Sequence, residues 1–118
     1  MVLYTATIFV LSSRSNVPLP RSVWRFDKLL HAIEYAGLAM LSWRALRLEG
    51  FRQAARWAVL GSSVFGLSDE LHQLFTPGRS ADALDWVADT VGALAGVGLL
   101  VWWRRTQSRR NGGAALKP

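Results

Sequence analysis

The stretch LDWVADTVGALAGVGLLVWW, residues 84–103, holds two acidic residues near its start and no basic residue. A helix of about 20 residues rises about 30 Å, which matches the hydrocarbon core of a bilayer. Trp102 and Trp103 close the stretch, and Arg104 and Arg105 follow it directly. Aromatic residues at the end of an apolar run, with cations just beyond it, are typical of membrane-spanning helices. The sequence therefore predicts that this stretch crosses a membrane.

Three more apolar segments precede it, over residues 2–11, 26–43 and 57–75. The third is long enough to cross, and the second is too if it tilts or if its arginines reach toward the surface. The first rises only about 20 Å even when extended to residue 13, and we interpret it as a short transmembrane helix. All six tryptophans lie at or near segment ends, as expected at membrane interfaces.

These segments predict an all-α fold, a polytopic membrane bundle of four transmembrane helices. The bundle covers residues 1–103, and residues 104–118 form a basic, disordered tail. With 118 residues, the chain has room for one domain of ordinary size. It contains no cysteine, which excludes disulfides and thiolate sites, and its two histidines exclude a metal cage built mainly from imidazole.

The net charge of +6 is compatible with nucleic-acid binding, but the placement of the cations argues against it. Nine of the fourteen lie in two blocks that border apolar segments: Arg44, Arg47, Arg52, Arg56, Arg104, Arg105, Arg109, Arg110 and Lys117. Four crossings place both blocks and both termini on one side. The other side receives five: Arg14, Arg21, Arg25, Lys28 and Arg79. The positive-inside rule then predicts a multi-pass cell-membrane protein with cytoplasmic termini and no nucleic-acid partner.

Polar residues gather on the side opposite the nine cations. Seven of the eight acidic residues lie there: Asp27, Glu34, Asp69, Glu70, Asp82, Asp85 and Asp89. Charged groups inside a membrane are costly and default to a functional role. We therefore expect them to face inward and to form a ligand-binding or functional cluster, whose candidate members are Asp27, Lys28, His31, Tyr35, Asp69, Glu70, Gln73, Arg79, Asp82, Asp85 and Asp89.

Helical spacing arranges these residues in stripes. Asp27, His31 and Tyr35 recur every four residues and so share one face. Asp82, Asp85 and Asp89 form a second stripe. In the third segment, Asp69, His72 and Gln73 share a face, and Glu70 is turned about 100° aside.

The elements DKLLHAIEY (27–35) and SDELHQLFTPGRSADALDWVADTVGALAG (68–96) resemble the VanZ-like family of small bacterial membrane proteins. The family pattern is Asp-Lys-x-x-His-x-x-x-Tyr, then Asp-Glu-x-x-Gln-x-Phe-x-Pro-Gly-Arg, then a further Asp and Gly-x-x-x-Gly. The matching residues are Asp27, Lys28, His31, Tyr35, Asp69, Glu70, Gln73, Phe75, Pro77, Gly78, Arg79, Asp85, Gly92 and Gly96. The resemblance spans roughly residues 24–103, and the first helix is shorter than the family usually shows.

The resemblance implies a membrane fold and a role in the cell envelope, and it attaches no reaction or ligand to the chain. The family's namesake is linked to antibiotic resistance, as lowered susceptibility to teicoplanin, a glycopeptide that acts on wall precursors. The favoured function is thus engagement of an envelope lipid or lipid-linked wall precursor. Arg79, in a turn after Pro77 and Gly78, suits an anionic head group; its alternative role is to neutralise nearby aspartates.

Two other functions stay open. A divalent cation held by some of Asp69, Glu70, His72 and His31 would give a metal-dependent hydrolase of a polyprenyl-phosphate lipid, although no HExxH or EF-hand motif is present. Alternatively, the charged cluster only holds the helices of a structural or regulatory subunit together.

A line of small residues, Ala88, Gly92 and Gly96, runs along the fourth segment. Such lines let helix backbones approach closely in membranes. The line predicts either internal helix packing or contact between two copies in a homodimer, and the sequence leaves open whether the chain is a monomer or a homodimer.

Overall fold

The computed structural model describes residues 2–12, 21–78 and 80–114. Within these ranges every regular element is an α-helix: α1 (Val2–Ser12), α2 (Arg21–Leu48), α3 (Ala54–Gln73) and α4 (Ala83–Ala114). The all-α prediction and its four segments are therefore confirmed. Two helices extend well beyond the predicted segments. Helix α2 begins before residue 26 and ends after residue 43, and α4 continues past residue 103. Residues 104–114 are thus helical, where a disordered tail was predicted.

Helix α2 ends in a well-formed C-terminal motif. Gly50 has a φ of 82°, in the left-handed region that favours glycine. Its N–H donates to the Arg47 carbonyl at 3.0 Å, and the Phe51 N–H donates to the Leu46 carbonyl at 3.0 Å. This is the Schellman pattern, which satisfies carbonyls at the end of a helix. It turns the chain sharply so that α3 runs back along α2.

Helices α2 and α4 share the largest interface, and small residues make it possible. A Cβ placed on Gly92 would collide with the backbone carbonyl oxygen of Ala32. A Cβ on Gly96 would lie 2.8 Å from the carbonyl oxygen of Ala36. The line of small residues therefore packs against α2 within one chain, which is the internal-packing alternative of the sequence prediction.

A hydrophobic core lies where α2 ends and α3 begins, packed against the middle of α4. Its buried members are Ala39, Trp43, Ala54, Ala58, Ala93 and Val97. Trp43 is only 5% exposed, with the guanidinium groups of Arg47 and Arg104 at 5.2 and 5.1 Å from its ring centroid. Trp43 lies near the end of its helix as predicted, but its ring is turned into the bundle.

Helix α1 is a short element at the side of the bundle. Its 11 residues rise about 16 Å, roughly half the thickness of a hydrocarbon core. The Tyr4 hydroxyl donates to the backbone carbonyl of Glu34 at 2.8 Å, which fastens α1 to α2.

Apolar and polar side chains are distributed unusually in this bundle. Large apolar side chains on the outer faces are exposed, among them Leu29, Ile33, Leu60, Val64, Val87, Val91 and Leu94. The buried polar residues are Ser62, Asp69, Glu70, Gln73 and Asp89. In a water-soluble protein, buried charges are rare and large contiguous apolar patches are seldom exposed. One described helix, Ala83–Gly113, is by length and composition able to cross a membrane, and 28% of its apolar stretch is buried.

Candidate functional site

Three helix ends meet at one end of the bundle. The chain enters α2, leaves α3 and enters α4 there, because α3 runs antiparallel to the other two helices. This brings together polar residues that are far apart in sequence, which we call the polar cluster: Asp27, Lys28, His31 and Tyr35 from α2, Asp69, Glu70 and Gln73 from α3, and Asp82, Asp85 and Asp89 from the start of α4.

Lys28 connects α2 to the start of α4. Its ammonium lies 3.0 Å from Asp82 Oδ2 and 2.6 Å from Asp85 Oδ1. The Lys28 side chain is 34% exposed, so water screens these pairs and each contributes at most about 1 kcal/mol. The bridge fixes the register of the two helices more than it stabilises the fold.

Asp82 is the residue that starts α4, because its Oδ1 accepts the Leu84 N–H at 2.9 Å. A carboxylate that accepts the N–H of the second helical residue is an N-cap, which stabilises a helix by about 1 kcal/mol. The Leu84 N–H, and then the Lys28 ammonium, lower the pKa of the Asp82 carboxyl. The Asp82 backbone N–H in turn donates to Glu70 Oε2 at 2.8 Å, which ties α3 to the same point.

A deeper ion pair lies one level further into the bundle. His31 Nδ1 is 3.0 Å from Asp89 Oδ1, with the two side chains 12% and 1% exposed. The absence of a side chain at Gly66 gives this pair room, because a Cβ there would lie 2.9 Å from Asp89 Oδ2 and 3.2 Å from Tyr35 Cε1. A buried carboxylate is costly unless it is paired and hydrogen-bonded, so His31 and Asp89 depend on each other.

Four buried oxygens have no hydrogen-bond partner in the part of the chain that the structure describes: Tyr35 Oη, Ser62 Oγ, Asp69 Oδ1 and Glu70 Oε1. Leaving such a group unsatisfied costs about 1–3 kcal/mol. Tyr35, Asp69 and Glu70 all belong to the polar cluster. Three of the four unpartnered oxygens therefore lie in one site, which has unused hydrogen-bonding capacity.

The buried face of α3 is wider than one stripe. Glu70, about 100° from Asp69 around the helix, is buried as are Asp69 and Gln73, while His72 is only half-buried. The reason is that α3 packs against both α2 and α4, so a wide face of it is covered. Arg79 lies outside the described residues.

The predicted set of metal ligands also changes. His31 does lie among acidic residues, but its companions are Asp27 and Asp85, with one ligand atom from each of the three within 4.8 Å of the others. Asp69, Glu70 and His72 do not belong to this trio. Lys28 already pairs with Asp85, and His31 with Asp89. A cation there would lie beside the Lys28 ammonium that already pairs with Asp85, whereas His31 can offer Nε2 while its Nδ1 keeps the contact with Asp89.

Sequence reasoning missed Gly66, which lies against Asp89 and Tyr35 of the polar cluster. Gly66 is on the buried face of α3 that also holds Ala58, Ser62 and Glu70, and these four positions recur every four residues. That spacing was visible in the sequence. It was overlooked because serine and glycine carry no charge.

The comparisons with known proteins give one match. No curated protein and no solved structure matches the chain. The model of the VanZ/LLP1 family matches residues 2–104, which include all four helix starts and every residue of the polar cluster. The chain therefore belongs to the VanZ/LLP1 family.

Proposed function

We propose that this VanZ-like protein crosses the cell membrane several times and that its polar cluster binds the head group of an envelope lipid or a lipid-linked wall precursor. Binding such a precursor would alter what a glycopeptide such as teicoplanin can reach. This is the kind of role that the family resemblance implies.

Several crossings are supported by the surfaces of α2 and α3 as well as α4. Helix α2 has 28 residues and α3 has 20, so each is long enough to span about 30 Å. Their exposed faces carry leucine, isoleucine and valine, and their ionisable side chains in the polar cluster are turned inward. Lipid favours this arrangement, because apolar side chains then face hydrocarbon and polar ones face each other.

The observation that carries the binding proposal is the set of unpartnered oxygens in the cluster. Carboxylate oxygens only accept hydrogen bonds, whereas the Tyr35 hydroxyl also donates one. The matching ligand must therefore offer donors, such as the hydroxyl, amide or ammonium groups of a sugar, peptide or lipid head group. A bare phosphate does not fit, because the acidic residues would repel it.

A second candidate function rests on the trio of Asp27, His31 and Asp85. Oxygen and imidazole ligands suit a divalent cation, which could activate water against a phosphate ester. This reading gives the metal-dependent hydrolase considered above. A cation there would be repelled by the Lys28 ammonium, 2.6 Å from Asp85 Oδ1, so we rank it second.

Tyr35→Phe tests the binding proposal. The Tyr35 hydroxyl makes no hydrogen bond to the described residues, so its removal should change the free energy of unfolding by less than about 0.5 kcal/mol. Loss of one hydrogen bond to the ligand should lower the amount of co-purified lipid about fivefold to tenfold. Native mass spectrometry of the full chain in mild detergent measures the lipid, and thermal unfolding measures stability.

Tyr4→Phe is the matched control. The Tyr4 hydroxyl already donates to the backbone carbonyl of Glu34 and is not one of the unpartnered oxygens, so this variant should lose about 1 kcal/mol of stability and retain its lipid. Unchanged lipid in a stable Tyr35→Phe variant contradicts the binding proposal. Lipid turnover that requires a divalent cation and is abolished by Asp85→Asn favours the hydrolase. No retained lipid in the wild type favours a structural or regulatory subunit.

The proposed topology predicts opposite labelling of two single cysteines. Ser80 and Glu49 are exposed at the two ends of the bundle and are better positions than Gly78 and Gly50, whose φ values of 80° and 82° disfavour a side chain. In intact cells, a membrane-impermeant maleimide should label Ser80→Cys and leave Glu49→Cys unlabelled until the cells are opened. The reverse pattern overturns the orientation, and labelling of both overturns the crossing number.

A further inference from the structure

A basic groove lies at the end of the bundle opposite the polar cluster. It has a volume of about 740 Å³ and is open to the surface. The end of α2, the start of α3 and the last third of α4 form its walls. Five arginines line it: Arg47, Arg52, Arg56, Arg104 and Arg105.

No carboxylate among the described residues neutralises the arginines of this groove. None of the five lies within ion-pair distance of a carboxylate in the described part of the chain, and the polar contact found for them is that of Arg56 with Gln53 Oε1 at 3.2 Å. Arg47 and Arg104 are both held against the Trp43 ring, at 5.2 and 5.1 Å from its centroid. Holding two guanidinium groups beside one indole brings like charges together, and an anion bound in the groove would reduce their repulsion.

The groove lies at the depth expected for lipid head groups. Trp102 and Trp103, directly before Arg104 and Arg105, are exposed at 62% and 54%, and Trp57 is exposed beside Arg56 at 56%. Exposed tryptophans mark the membrane interface, with their apolar rings toward hydrocarbon. Guanidinium groups just beyond that level are placed to pair with phosphates of the leaflet, in bidentate hydrogen bonds that arginine forms well.

From the groove, its uncompensated arginines and its depth, we infer that it is a second ligand site, which binds the phosphate of an anionic membrane lipid. The groove is separate from the polar cluster and opposite to it in charge. The inference depends on the membrane location proposed above and not on what the polar cluster binds. A lipid held there would close the open end between α2, α3 and α4 and neutralise the groove.

The experiment compares two double variants that remove the same charge. Arg52→Gln with Arg105→Gln removes two arginines of the groove whose side chains are exposed, so the fold should persist. Arg109→Gln with Arg110→Gln removes two exposed arginines of the same helix α4 that do not line the groove. The full chain in mild detergent is mixed with equimolar phosphatidylglycerol and phosphatidylcholine, and native mass spectrometry counts the bound lipids.

The wild type should retain phosphatidylglycerol over phosphatidylcholine. The groove variant should retain about tenfold less, the loss expected from about 1.4 kcal/mol of charge-assisted hydrogen bonding. The control variant should change less than twofold. Arg47→Gln with Arg104→Gln should reproduce the groove variant's loss, with circular dichroism as a check on its fold.

Three outcomes overturn the inference. Equal losses of phosphatidylglycerol in the groove variant and the control variant mean that any exposed arginines of this region attract the lipid. Unchanged retention in the groove variant means that the groove does not hold the lipid. Displacement of phosphatidylglycerol by millimolar inorganic phosphate means that the groove takes a soluble anion. Loss of lipid in Tyr35→Phe concerns the other end of the bundle, so the two proposals fail separately.

Discussion

Gly92→Leu should separate α2 from α4 and is expected to be the most damaging single substitution in the interior. Even a Cβ at this position would collide with the backbone carbonyl oxygen of Ala32, and a helix backbone cannot move aside as a side chain can. Overpacking of a core usually costs about 1–3 kcal/mol. We expect about 3 kcal/mol or more here, because four extra carbons meet a rigid neighbour. Titration with denaturing detergent, followed by circular dichroism, measures the loss.

Gly98→Leu is the matched control. Gly98 lies on the same helix, less than two turns away, and a Cβ there would meet nothing within 4 Å. The variant should be as stable as the wild type or slightly more stable, since leucine favours a helix over glycine by about 0.5–1 kcal/mol. Equal losses in both variants would show that α4 tolerates no leucine in this region for some general reason. No loss in Gly92→Leu would contradict the close approach of α2 and α4.

The close approach also explains why one part of the fold was predictable from sequence. Ala88, Gly92 and Gly96 recur every four residues, so they had to form one stripe on a helix. The sequence left two possible partners for this stripe, another helix of the same chain or a second copy of the chain. The sequence alone does not resolve this, because a small-residue face suits either partner equally.

The extent of α4 was misjudged for a different reason. The predicted end at residue 103 followed from membrane thickness and from the charges beyond it, which say where hydrocarbon ends and not where a helix ends. Arginine and glutamine are good helix formers, and residues 104–110 contain four arginines and one glutamine. The helix therefore continues until the pair Gly112 and Gly113, close to its observed end at Ala114.

In the polar cluster, helical periodicity predicts which residues share a face of one helix but not which residues meet across two helices. Periodicity predicted that Asp27, His31 and Tyr35 share a face, but it could not pair His31 with Asp89 across 58 residues. Such pairings depend on the axial register of two helices, which the Lys28 bridge and the small-residue contacts set together. A single stripe also does not explain why both Asp69 and Glu70 are buried, because a helix packed on two sides buries neighbours that one stripe would separate.

Asp89→Ala should have the second-largest effect, through the partner that it leaves behind. Asp89 is 1% exposed, and its Oδ1 is 3.0 Å from His31 Nδ1, so the alanine variant leaves an imidazole that is only 12% exposed without this partner. Breaking a buried pair by removing one partner costs about 3–5 kcal/mol. The same detergent titration should therefore show a loss of about 3 kcal/mol. The double variant with His31→Ala should lose less than the sum of the two single variants, because each single change already forfeits the shared interaction.

Asp85→Ala is the control that compares the deeper pair of His31 and Asp89 with the more exposed pair of Lys28 and Asp85. It removes the same type of residue one turn earlier on α4, but the cation that Asp85 contacts, Lys28, is 34% exposed and keeps Asp82 at 3.0 Å. Its loss should be about 1 kcal/mol or less. Similar losses for Asp85→Ala and Asp89→Ala, or strictly additive losses for His31 and Asp89, would mean that the deep pair adds nothing beyond its surface neighbours. A large, non-additive loss confined to Asp89 and His31 means that this pair holds α2 and α4 in the register that builds the rest of the polar cluster.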